Sequence, residues 1–238
     1  MYFKNTKNKM DIYPIEATER FDNAKFHRRY CLSFLKKFIK GNILEVGAGC
    51  GSFTRDYLTP DLKVTLTETD KKNFDDLKIV FRDNNNINIK NETIYNVSGE
   101  FDVILYLHVL EHIEKDIAEL EEAKKKLKKN GYLIIMVPAH QKLYSNFDKA
   151  IGHFRRYERD FFIDDLINLE RIKLLSLDTI GYLLYSLNKI FFKNESFPSN
   201  FKIFIWDKIF TPITIFIDFI TSYKFGKCIL AIYKKNNF

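Results

Sequence analysis

The chain has 238 residues, 46% hydrophobic and 29% charged, enough to bury the core of one large α/β unit. Its three cysteines, Cys31, Cys50 and Cys228, are odd in number and far apart, which argues against a disulfide framework or a cysteine zinc site and for a reducing compartment. A net charge of +7 allows an acidic partner, but the densest run (Lys124-Lys125-Lys126 with Lys128-Lys129) shares its segment with Glu119, Glu121 and Glu122, and reads as a solvated helix face rather than a nucleic-acid patch.

Met1 to Lys9 is polar and basic with no apolar h-region, so secretion is not expected and a cytoplasmic location is. From Phe21 to Lys40 the positions Phe26, Tyr30, Phe34, Leu35 and Phe38 recur at helical spacing, and Gly41 is a natural stop. This helix either covers the sheet or lids a ligand. Next, Ile43, Leu44 and Val46 read as a short buried strand, followed by Gly47, Gly49 and Gly51 and a helix from Ser52 to Leu58. Strand, glycine turn and helix let a backbone press against a bound cofactor, because glycine accepts positive φ and has no Cβ.

Lys63 to Thr67 reads as a second strand and Lys71 to Asp83 as a helix capped by Asp70. Glu68 lies 17 residues beyond Gly51, about where α/β nucleotide folds place the acid that binds ribose hydroxyls. Asn86 to Ile94 is a weaker strand. At its exit Asn91, Glu92 or Thr93 is placed to meet an adenine amino group, and Glu92 is favoured. Phe101 to Leu107 is a clear buried strand. His108-Val109-Leu110-Glu111-His112 follows, then a helix with core face Ile113, Ile117, Leu120 and Leu127 that Asn130-Gly131 ends. Tyr132 to Val137 is a fifth strand, stopped by Pro138. Alternating strands and helices from 42 to 138 give right-handed βαβ units and a parallel sheet.

The turn does not match the dinucleotide fingerprint, since its third glycine comes one residue early. Glu45-x-Gly47-x-Gly49-x-Gly51, Phe101-Asp102, Leu110-Glu111-His112 and Gly131 to Pro138, in this order, resemble the class I S-adenosylmethionine-dependent methyltransferases. The resemblance covers residues 42–138; each piece is weak alone, and the ordered set is specific. It implies a Rossmann-like α/β fold: a seven-stranded, mostly parallel sheet with one antiparallel strand and helices on both faces. It also implies S-adenosylmethionine as cofactor, held by Glu45, Gly47, Ala48, Gly49 and Gly51, by Glu68 and Thr69, by Glu92, and by Leu107 and His108 at the methionine end. On this reading 1–238 is one methyltransferase domain, with a covering helix in 1–41, the cofactor-binding core in 42–138, a substrate side in 139–224 and a last strand in 225–234.

His108-x-x-Glu111-His112 also matches a zinc-protease pattern, which would need one helix through both histidines. His108 abuts a strand, so the zinc reading is disfavoured, and no metal is expected. Ligand crevices of open α/β sheets lie beyond the strands' carboxyl ends, which directs attention to the segment after the fifth strand. There His140 is the first choice for general base, because imidazoles titrate near neutrality. His112 and Tyr144 are further catalytic candidates. His153, Arg155, Arg156 and Tyr157 crowd donors and an aromatic ring into five positions, and guanidinium forks suit phosphate or carboxylate. An anionic acceptor or carrier is therefore expected, with an exposed basic lead-in to a helix at Phe161–Leu169 as the plainer reading. Val137-Pro138-Ala139-His140 with Gly152-His153-x-Arg155-Arg156-Tyr157 is similar to a bacterial branch of the family linked to cell-surface glycans or secondary metabolism. The Asp/Asn-Pro-Pro-aromatic loop of amino-base methyltransferases is missing, which disfavours nucleic acid as substrate.

Arg171 to Thr179 and Phe225 to Tyr233 read as the sixth and seventh strands. Between them runs an aromatic-rich stretch, broken by Pro198 and Pro212 and too charged for a membrane span. Helices over the substrate cleft are the first reading. Peripheral contact with the inner membrane through 201–222 is the second, given Trp206 and the nearby lysines. The function expected is methylation, at oxygen, of a small or carrier-linked acceptor, with a non-catalytic cofactor-binding protein as the alternative.

Overall fold

The computed structural model describes residues 21–191 and 199–236, and side chains at 188–191 are left aside. Pro198 lies outside the described residues. A seven-stranded sheet has the order β3-β2-β1-β4-β5-β7-β6. Its strands are β1 (Asn42–Val46), β2 (Lys63–Thr67), β3 (Ile87–Lys90), β4 (Phe101–Leu107), β5 (Leu127–Pro138), β6 (Glu170–Leu177) and β7 (Cys228–Lys234). Pairing is parallel from β3 to β5, and β7 alone runs antiparallel, between β5 and β6. The fold expected from the sequence is the fold found.

Strand side chains alternate between faces, so each central strand feeds two cores. Leu44, Val46, Ile104, Tyr106, Leu133 and Ile135 belong to one cluster; Ile43, Val103, Leu105, Ile134 and Met136 belong to the other. The first face is covered by Leu120 and Ala123 of α4 (Asp116–Lys126) and by residues 157–169. On the second lie Tyr30, Cys31 and Leu32 of α1 (Lys25–Ser33), Tyr57 of α2 (Ser52–Tyr57) and Leu77 of α3 (Lys71–Val80). Burial on both faces explains why these strands read as unbroken apolar runs.

Three expected boundaries are corrected. The first helix does not run to Lys40: α1 ends at Ser33, whose hydroxyl bonds the Tyr30 carbonyl at 2.6 Å, and turns follow. The fourth helix stops at Lys126, not at Asn130-Gly131: Leu127 already pairs with Phe101, and Lys235 beyond β7 donates to the carbonyls of Lys124 and Leu127. Phe161–Leu169 is not a helix. Two 3-10 turns, Arg159–Phe161 and Leu166–Asn168, replace it, with Ile167 and Asn168 at positive φ so that Phe162, Leu166 and Leu169 all reach the core.

The carboxyl-terminal insert forms α6 (Thr179–Phe191), then α7 (Asn200–Ile205), a π-turn Trp206–Phe210 and α8 (Thr211–Ile220). Pro212 does not break this rod. The widened turn absorbs its missing N–H, with Thr211 bonding back to the Trp206 carbonyl. A short α5 (Asn146–Ala150) follows the β5 exit and starts with a capping box of Ser145 and Asp148.

Candidate functional site

Strand order reverses at the β1–β4 pair, so the loops at their carboxyl ends border the crevice of an open α/β sheet. The turn after β1 holds Gly47, Gly49 and Gly51 at φ of 65°, 56° and 76°. Ala48 N–H bonds the Thr67 carbonyl at 2.9 Å, and Gly49 N–H bonds Glu68 Oε2 at 2.8 Å, tying the turn to the end of β2. A Cβ on Gly47 would strike Val109 at 2.8 Å, whereas a Cβ on Gly49 would meet nothing within 4 Å among the described residues. The second glycine thus opens onto free space.

Glu45 is buried beneath the turn, and its Oε2 accepts from Thr54 Oγ1 at 2.7 Å and Tyr57 Oη at 2.6 Å. Burial raises its carboxyl to about 7 against the pull of those two hydroxyls. The folded state therefore keeps a proton that the unfolded state releases near 4.5, so stability falls as pH rises from about 4.5 to 7, by roughly 3 kcal/mol. Urea titrations at pH 5 and 8 should show this slope in the wild type and lose it in Glu45→Gln; equal slopes would contradict it.

Both Glu68 oxygens carry backbone amides, those of Gly49 and Asp70, and Asn91 Nδ2 bonds its carbonyl at 2.6 Å. Thr69 is exposed beside it. Past β3, Glu92 holds a buried Oε2 without a hydrogen-bond partner among the described residues, with Lys90 Nζ 3.6 Å away. Leu107 is buried at the end of β4, and His108 turns at φ 60° with its N–H on the Met136 carbonyl. That turn, and the 3-10 turn Leu110–His112 after it, part His108 from His112, so no helix runs through both.

The β5 exit and residues 152–157 are stitched together: His140 N–H to Tyr157 O at 2.9 Å, Tyr157 N–H to Pro138 O at 3.0 Å and Phe154 N–H to Glu111 O at 2.8 Å. His140 stands at φ 65°, a strained value for a non-glycine residue. Its Nδ1 lies 3.3 Å from Glu158 Oε2, and its Nε2 is buried with no hydrogen-bond partner among the described residues. Glu158 was not singled out from the sequence, since nothing local links it to a residue 18 positions earlier.

The expected cluster of free donors is corrected. Arg156 is buried, with Nε and Nη2 on Asp148 at 2.9 and 3.0 Å and its guanidinium over the Tyr185 ring at 4.6 Å; only Nη1 lacks a hydrogen bond. Arg155 bonds Asp116 and the Glu114 carbonyl, and Tyr157 Oη also bonds Asp116. His153 Nδ1 meets Asp148 Oδ1 at 2.9 Å, and Tyr144 Oη bonds the His153 carbonyl at 2.6 Å. Burial disfavours ionised Asp148, but His153, Arg156 and Ser145 outweigh it and bring its carboxyl to about 2. The tract is a wall built on Asp148 and Asp116 rather than an open anion clamp.

Comparison with known proteins fits this geometry. A family model described as a methyltransferase domain matches residues 21–184. An uncharacterised protein of Methanocaldococcus jannaschii is 30% identical over 132 residues, 54% of this chain and 60% of that protein, so the chain spans less than two thirds of that relative. A chain from the complex of the Haloferax volcanii Trm112 methyltransferase activator superposes with a TM-score of 0.66 at 10% identity, over 98% of this chain and all of that one. The N-methyltransferase NodS of Bradyrhizobium japonicum, in complex with S-adenosyl-l-homocysteine, gives 0.53 at 14% identity, over 97% of this chain and 89% of that one. At such identities the superpositions establish the fold, and the family follows from the model that runs through α1, the glycine turn, the β5 exit and into α6: this chain belongs to the methyltransferase domain family.

Proposed function

We propose that the chain is an S-adenosylmethionine-dependent methyltransferase whose acceptor atom is an oxygen of a small or carrier-linked molecule. The observation that carries the cofactor reading is Gly49. It has a left-handed backbone, space where a Cβ would stand that is free of the described residues, and flanks pinned by Glu68 and the end of β2. Glu92, with one buried carboxylate oxygen lacking a hydrogen bond, fits an exocyclic amine of the nucleoside. Both features suit an uncharged ribose and adenine better than a pyrophosphate. When bound, the cofactor supplies a methyl group on a sulfonium for in-line displacement.

The chain's own part is to orient the acceptor, exclude water and take a proton. His140 suits the last task. Glu158 fixes one ring nitrogen and leaves Nε2 buried and unclaimed, which is the arrangement of an oriented base. His140→Ala is expected to lower kcat by about 10²- to 10⁴-fold and leave S-adenosylhomocysteine affinity within twofold, by calorimetry. Cofactor binding with no acceptor methylated across a hydroxyl-bearing panel would favour the non-catalytic binding protein instead.

The same reading includes contact with a membrane surface. Along α7 to α8 the residues turned inward are Ile203, Asp207, Thr211, Thr214 and Asp218, and those turned outward include Phe201, Phe204, Ile213, Phe216 and Phe219. An ordinary surface helix shows the reverse. Asp218 accepts from Tyr30 Oη and from the amides of Asp178 and Thr179; Asp207 Oδ1 accepts from the His27 amide, and its buried Oδ2 lies 3.2 Å from Lys208 Nζ. Among the described residues no helix is long and apolar enough to cross a membrane. An apolar outer face with exposed Lys202, Lys208 and Lys224 around it fits the surface of an anionic bilayer, and so a lipid-linked acceptor.

A further inference from the structure

The geometry points to a divalent-cation site formed by Glu111, His112 and His153, a use of these side chains that the glycine turn and His140 do not require. One ligand atom from each residue lies within 4.8 Å of the other two. They come from separate places: Glu111 and His112 from the 3-10 turn after β4, and His153 from the loop after α5. The Phe154 N–H bond to the Glu111 carbonyl, at 2.8 Å, holds the two segments in register.

Glu111 is 1% exposed, yet its Oε2 has no hydrogen-bond partner among the described residues. Its Oε1 lies 3.6 Å from His108 Nδ1 and 3.9 Å from His153 Nε2. A fully buried carboxylate with an unclaimed oxygen costs stability unless something positive answers it. The two imidazoles carry the second indication. Asp148 Oδ1 takes His153 Nδ1 at 2.9 Å, which leaves Nε2 of that ring, 3.9 Å from Glu111 Oε1, for a ligand. Metal-binding histidines are oriented in this way, by a carboxylate or a carbonyl on the far nitrogen. The rings meet edge to face with centroids 4.6 Å apart. A Cβ at Gly152 would come 3.7 Å from His112 Nδ1, so the loop passes close over that ring.

Two imidazoles and one carboxylate suit Zn²⁺, Mn²⁺ or Fe²⁺ better than Mg²⁺, which prefers oxygen ligands. Three protein donors leave coordination positions for an oxygen from outside the chain. The set differs from the zinc-protease pattern, since His108 is not a ligand and no helix spans the pair.

The test uses the full chain, untagged and stripped with chelator, titrated with Zn²⁺ by calorimetry and with Mn²⁺ by electron paramagnetic resonance. One ion per chain is expected, at least tenfold weaker in His112→Ala and in Glu111→Gln. His112 is exposed, so its variant keeps the fold and decides the matter alone if Glu111→Gln does not. Absence of a stoichiometric ion in the wild type, or a site undiminished in His112→Ala, would overturn the inference. A parallel titration with S-adenosylhomocysteine reads the proposed cofactor separately, so the two can fail independently.

Discussion

Replacing Gly49 with asparagine is expected to weaken S-adenosylhomocysteine binding by a hundredfold or more while leaving the melting temperature within a few degrees. Asparagine is the side chain that best tolerates the left-handed backbone found there, so the folded state loses about 1 kcal/mol or less. Its side chain would project into space that none of the described residues fills, and that space is where the cofactor is proposed to lie. Gly51→Ala makes the contrast. Its Cβ would meet Phe81 at 2.6 Å and Leu77 at 2.9 Å, so it should lower stability first. Calorimetry on both variants checks the pair. Unchanged affinity in the folded Gly49 variant would remove the cofactor from this turn.

Exchanging Phe216 and Phe219 together for serine is expected to release the protein from vesicles containing phosphatidylglycerol, with the partition coefficient falling about a thousandfold. The two rings are 63% and 69% exposed, so neither contributes much to the core. Each would bury most of its area in an acyl boundary, worth about 2 kcal/mol, and every 1.4 kcal/mol is tenfold. Binding by the wild type should also weaken with salt, because lysines near the face add about 1 kcal/mol each next to anionic lipid. Cosedimentation with anionic and zwitterionic vesicles measures both effects. A wild type that ignores anionic vesicles and instead doubles its mass in light scattering would assign the face to a second copy of the chain.

The glycine-bearing exit of β1 and the alternation of strands and helices were legible because they rest on local rules, whereas the single antiparallel strand came from the resemblance to the methyltransferase family. Buried strands are apolar runs, turns demand glycine, and βαβ units have one hand. Asp70 shows how far such rules reach, since its side chain accepts from Asn73 N–H at 2.9 Å as an N-cap should. They fail where the partner is distant. Helix α4 gives way early to β5 where Leu127 pairs with Phe101 and Lys235, more than 100 residues on, bonds the carbonyls of Lys124 and Leu127. Residues 161–169 lose their helix because three side chains must enter one core together.

The order of elements and the glycine turn were therefore set by the sequence alone, since each depends on neighbours a few residues apart, and the expected ligand followed from the resemblance carried by the ordered motifs of residues 42–138. What only the tertiary structure decided is which charges are spent and which remain. Arg155, Arg156 and Tyr157 look like free donors in the chain, but Asp116 and Asp148, brought in from other segments, take them up. The inside-out character of α8 and the meeting of Glu111 with His153 likewise exist only after folding. Burial and hydrogen bonding are properties of the surroundings of a side chain, and the surroundings come from residues far along the chain.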